Sequence, residues 1–184
     1  MRLRDLQESE LNAEQLKVYK SIADGPRGGV RGPFGILLRV PGLADQVQQL
    51  GEYCRYKTSL SPRITEFAIC ITARHWNSQI EWAGHSKLAL KGGLAQGILD
   101  DLRLGKRPAN MQEDEAAAHD FCIELHQNKE VSDAAYAAAV KQFGEAGVLD
   151  LCGVIGYYGL VAMVLKTGQK PLPPGTPDPL PVLK

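Results

Sequence analysis

An excess of charge of either sign is missing from this sequence: lysine plus arginine and aspartate plus glutamate number 21 each among 184 residues. A balanced chain lacks the positive field that a nucleic-acid binder or a basic membrane-surface protein needs, so neither partner class is expected. No stretch reaches the ~18 uninterrupted apolar residues of a membrane span, and the opening Met1 to Glu8 has no apolar signal-peptide core. A cytoplasmic location is the resulting expectation. Cysteine is sparse and scattered. Cys54, Cys70, Cys122 and Cys152 sit far apart in apolar runs, without a Cys-x-x-Cys pair, which points to buried free thiols rather than a metal or redox centre. Repeats of fixed period are absent, and so is the sustained alternation of a half-buried strand. The glycine-rich stretch from Gly25 through Gly28, Gly29 and Gly32 to Pro33 matches neither a Walker loop nor a dinucleotide-binding turn, and reads as a plain loop.

What is present is helical periodicity along nearly the whole chain, so the expected fold is all-α, a single-domain bundle of about six to eight helices. Helices are predicted over Asn12 to Ala23 and Gly42 to Lys57. Ser61-Pro62 then opens a very apolar segment as N-cap and first helical residue, and Trp76-Asn77 breaks it. Ser78 to Lys91 follows, closed by Gly92-Gly93, and should pack on the preceding helix as a hairpin. Further helices fit Ala95 to Leu104, Gln112 to Asn128, Ser132 to Glu145 and Val148 to Lys166. The last is strongly apolar, but Asp150, Gly153, Gly156 and Gly159 make it a poor membrane span and favour close helix packing. Residues 168–184 hold six of the eleven prolines and form an extended arm beyond a domain of residues 1–167.

Chemistry concentrates around the hairpin. Glu66 lies among Ile64, Phe67, Ala68, Ile69 and Cys70, where burial disfavours a charged carboxylate unless a partner compensates. On the next helix Ser78, Glu81, Trp82 and His85 fall on one stripe, with Glu81 and His85 four residues apart. A buried carboxyl beside such a stripe supplies an acid, a base and a hydroxyl to one pocket. His75, His119 and His126 read as ordinary polar positions.

The segments Leu60-Ser61-Pro62-Arg63-Ile64-Thr65-Glu66, Trp76-Asn77-Ser78-Gln79-Ile80-Glu81-Trp82-Ala83-Gly84-His85 and Ala89-Leu90-Lys91-Gly92-Gly93-Leu94 resemble the core motif of the carboxymuconolactone decarboxylase family, which includes the alkylhydroperoxidase D-like proteins. In the peroxidase branch a glutamate is followed by cysteines twelve and fifteen positions later and a histidine at nineteen; counted from Glu66, those places hold Ser78, Glu81 and His85. Without the two thiols the redox branch is disfavoured. The resemblance implies a decarboxylase-like acid/base enzyme acting on a small carboxylated lactone or ring acid, with no metal or organic cofactor. In that reading His85 donates or shuttles the proton, Glu81 orients it or acts as acid/base, and Glu66 is a second, pKa-shifted carboxyl. Ser78 and Trp82 contact substrate, and Arg39 or Arg74 clamps a carboxylate. Tyr157 or Tyr158, in Gly156-Tyr157-Tyr158-Gly159, is placed to reach the pocket or to pack. The family also implies a closed homo-oligomer, a trimer or hexamer. The competing expectations are a residual peroxidase and a non-catalytic helical ligand-binding protein.

Overall fold

The computed structural model describes residues 1–26, 28–176 and 179–183, and among them the only regular structure is helical. Eight α-helices follow a short 3-10 turn over Glu8–Glu10: α1 Ala13–Ala23, α2 Phe34–Leu37, α3 Pro41–Tyr56, α4 Pro62–His75, α5 Gln79–Lys91, α6 Gln96–Arg103, α7 Glu113–Asn128 and α8 Asp133–Gly168. Side-chain caps set several boundaries. Asn12 Oδ1 accepts from Gln15 N at 2.9 Å, and Ser61 Oγ accepts from Ile64 N at 3.3 Å with Pro62 as the first helical residue. Asn77 takes a left-handed conformation, φ 52°, and turns the chain from α4 into α5.

α4 is the centre of the protein. It packs against α5 as the expected hairpin and against α7 and α8 on its other sides. Ile64, Phe67, Ala68, Ile69, Cys70 and Ile71 are all essentially inaccessible, as a helix apolar on most sides requires.

α8 spans the two predicted C-terminal helices and breaks where they divide. Gly144 adopts φ 68°, ψ 173°, a backbone conformation that a side chain would strain. Its apolar second half is long enough by composition to cross a membrane, yet 61% of that window is buried against the rest of the protein. Asp150 is not a stray charge in that helix. It accepts hydrogen bonds from Tyr53 Oη at 2.8 Å and from Ser59 N and Oγ at 2.7 Å each, which tie α8 to α3 and the turn after it. Of the three small residues expected to mediate close packing, Gly159 does so, facing Trp76 Nε1, whereas Gly156 is exposed.

α1 buries Val18 and Ile22. α2 forms directly after the stretch read as loop, in a segment for which no helix was predicted, because Phe34, Ile36, Leu37 and Leu38 all enter the core. The tail, expected as an extended arm beyond the domain, docks on its own chain. Leu180 is 2% exposed, its N–H donates to Gln79 Oε1 at 2.9 Å, and its carbonyl accepts from Gln79 Nε2 at 2.9 Å. Pro177, Asp178 and Lys184 of that arm, and Arg27 of the glycine-rich loop, lie outside the described residues.

Candidate functional site

The hairpin brings together two of the three residues singled out for catalysis by direct contact. His85 Nδ1 lies 2.6 Å from Glu66 Oε2, one group from each helix, and both side chains are mostly shielded from solvent. With the Nδ1 proton donated to Glu66, the imidazole keeps Nε2 as the nitrogen free to exchange a proton with something else.

Glu81 occupies the first turn of α5 and is 4% exposed. Neither carboxyl oxygen makes a hydrogen bond. Burial pushes its pKa up to about 8, and the nearby Ser78 hydroxyl, though it draws the value slightly back, makes no bond of normal geometry to either oxygen. The helix N-terminus favours an anion there, but only by about 1 kcal/mol, so desolvation decides and the carboxyl is neutral at pH 7. The sequence cast Glu81 as the group orienting His85 or as itself the acid/base; the contact on His85 Nδ1 is made by Glu66, and Glu81 is a carboxyl that burial raises.

Glu81 and His85 line a cleft of about 360 Å³ together with Tyr157, Tyr158, Arg31 and Arg55. The Tyr158 ring stands edge-on to the His85 ring at 4.8 Å between centroids, and Tyr157 stands edge-on to Tyr158 at 5.1 Å. Both tyrosines are almost fully buried, so their rings form a dry wall behind the imidazole. Two arginines also line the cleft. Arg31 is exposed; Arg55 is half-buried, sits over the Tyr56 ring at 5.0 Å, and has its Nε buried without a hydrogen-bond partner. A partner-poor arginine beside a neutral acid and an imidazole can hold a carboxylate while proton transfer occurs.

The remaining expected site residues lie elsewhere. Ser78 is the buried N-cap residue of α5 and does not reach the cleft surface. Trp82, 4% exposed, packs into the core. Arg39 donates to the Ile36 carbonyl at 3.4 Å, and Arg74 lines a separate cavity between α4, α7 and α8. The arginines that line the cleft are instead Arg55 and Arg31, which sequence reasoning missed. Arg55 carried no signal beyond its place at the end of an amphipathic helix. Arg31 carried one, since it belongs to the glycine-rich loop, whose Gly29 and Gly32 also border the cleft.

Cys70 is fully buried, and burial, then the charges of Glu66 and Glu81, hold its pKa well above the usual thiol value. Burial also raises Cys122 and Cys152. Among the described residues no group of three or more His, Cys, Asp or Glu side chains is arranged to hold a metal ion. No protein-family model and no curated protein matches this sequence.

Proposed function

We propose that this chain is a cofactor-free acid/base enzyme of the carboxymuconolactone decarboxylase-like family, acting on a small carboxylated lactone or ring acid. The observation that carries the reading is a neutral, unbonded carboxyl on Glu81, a residue that lines the same cleft as an imidazole oriented by Glu66. In the reaction, Arg55 and Arg31 hold one substrate carboxylate. A second carboxyl group leaves as carbon dioxide, and the electron pair of the broken carbon–carbon bond passes into the conjugated carbonyl. The Glu81 carboxyl delivers its proton to the resulting carbanion equivalent, and His85 returns a proton to Glu81 from solvent. The two tyrosines exclude water from that transfer.

The working unit is proposed to be a cytoplasmic homo-oligomer, a trimer or hexamer. Its support is the apolar stripe that α3 leaves outside its own core, with Leu43, Leu50 and Tyr53 43%, 46% and 45% exposed, and Leu149 on adjacent α8 at 71%.

The test is incubation of purified protein in D₂O with a panel of carboxylated unsaturated lactones and ring acids, followed by proton NMR. Release of carbon dioxide with a single deuterium at the vacated carbon, abolished by Glu81→Gln, supports the reading. Neither carbon dioxide release nor deuterium uptake across the panel counts against it.

A further inference from the structure

A cavity larger than the cleft of Glu81 and His85 lies elsewhere in the protein. About 1010 Å³ in volume, it lies between the end of α4, α7 and the first half of α8, with Leu183 of the tail contributing to its wall. That is ample for a small organic molecule, since such sites commonly measure about 300–1,000 Å³.

One corner of it holds cations without acids. Arg74 is 7% exposed, and its Nη1 donates only to two main-chain carbonyls, Arg103 O at 3.2 Å and Pro181 O at 3.0 Å. Its Nε is buried with no hydrogen-bond partner. No carboxylate among the described residues pairs with Arg74 or with Lys106, which lines the cavity beside it. Burial, and then the neighbouring Arg103 charge, both work against the protonated guanidinium.

The acids of the cavity are already engaged. Asp120 accepts from Arg107 Nε at 3.0 Å and Nη2 at 2.8 Å, and it contacts His119 Nδ1 at 2.8 Å. Glu124 accepts from Ser132 N at 2.7 Å and Oγ at 3.1 Å. Glu113 faces Gln142 Nε2 at 3.2 Å and Lys141 Nζ at 3.9 Å. A buried cation left without a counter-ion is among the least favourable arrangements in a folded protein, and a carboxylate brought to Arg74 would supply one. Part of the remaining wall is apolar, with Ile71, Ile123, Ala134 and Ala138 among its residues.

We infer that this cavity is a second binding site, for an organic carboxylate with an apolar body, its head group on Arg74 and Lys106 and its chain along the alanine and isoleucine walls. The site is independent of the acid/base cleft. Its ligand is bound as a whole and undergoes no reaction there.

Isothermal titration of the full chain with sodium octanoate, with 1-octanol as the uncharged control, tests this. Saturable binding of one octanoate per chain is expected, with octanol at least tenfold weaker. Arg74→Met should weaken octanoate at least tenfold. Should that variant fail to fold, Ala138→Trp, at an exposed position of α8 that fills the cavity, carries the same expectation. Arg55→Gln, in the other cleft, should leave octanoate binding in place. The inference is overturned by three results: no saturable binding, as when a carboxylate of the chain's own tail or a second copy fills the corner; equal affinity for octanol; or binding lost in Arg55→Gln but retained in Ala138→Trp.

Discussion

His85 and Glu66 are nineteen residues apart in sequence and 2.6 Å apart in space, joined across the α4–α5 hairpin. The turn at Asn77 sets that register, and the pair fixes which imidazole nitrogen remains available. Removing either partner has separable consequences. His85→Ala should lower turnover by about 10²–10⁴-fold, the usual worth of a positioned acid or base. Glu66→Gln keeps a hydrogen-bonding group beside His85 and should cost less, with the pH profile displaced rather than lost. Steady-state rates of both variants on a turned-over substrate check this.

Glu81 makes stability depend on pH in a definite direction. Its carboxyl keeps a proton in the folded protein up to about pH 8, against an ordinary value of 4.5. Between those two values the folded state binds a proton that the unfolded state has released, so stability falls as pH rises and levels off above about 8. Over the whole window the loss is on the order of 5 kcal/mol at most, taking about 1.4 kcal/mol per pH unit. Glu81→Gln removes this slope. Thermal melts of both proteins from pH 5 to 9 should show the wild-type midpoint dropping more steeply than the variant's.

Arg55 is expected to act on binding rather than on chemistry. The residue lines the cleft, and its Nε is buried without a hydrogen-bond partner. Loss of a charged hydrogen bond costs about 1.5–3 kcal/mol, so Arg55→Gln should raise KM for a carboxylate substrate by about tenfold or more with little change in kcat. Kinetics of the matching methyl ester, which lacks the charge, should be nearly indifferent to the substitution.

Much of this was legible in the sequence, for physical reasons. Ser61-Pro62 and Asn77 announced both ends of α4, because capping and left-handed turns are local chemistry. Glu66 stood out as a carboxyl in an apolar run, and Glu81 and His85 as a pair four residues apart on one helical stripe. Ser78 and Trp82 share that stripe yet fail to reach the cleft, since burial depends on what α5 packs against, which helical spacing alone does not encode. Arg55 and Arg31 were invisible as partners because they come from α3 and the glycine-rich loop, brought to the cleft only by tertiary packing. The tail went wrong for a similar reason: proline content excluded helix correctly but said nothing about the Gln79 side chain that receives Leu180.

Arg63 anchors the hairpin to α7. It bonds Glu115, which is 2% exposed, and reaches Asp114 Oδ2 at 2.7 Å. Glu115 in turn accepts from Gln112 N at 2.7 Å. Arg63→Met leaves a buried carboxylate without its cation and should destabilise the fold by about 3–5 kcal/mol. Urea unfolding measures the difference, and the paired change Arg63→Met with Glu115→Met should recover much of it.

If α3 forms the oligomer interface, charges on its apolar stripe should dissolve the assembly without unfolding it. Leu43→Glu with Leu50→Glu, both at half-exposed positions, is expected to give a folded species of about 20 kDa by light scattering at a concentration where the wild type scatters as a trimer or hexamer. A wild type that already runs as a monomer would remove the basis for that interface.

The account stands or falls on the protonation state of Glu81. Carbon-13 NMR of protein labelled at the glutamate side-chain carboxyl, with Glu81→Gln used to assign the resonance, reads it directly across pH 4 to 10. A titration midpoint near 8 is the predicted result; a Glu81 resonance already that of a carboxylate at pH 6 would contradict the claim that this residue holds the proton to be delivered.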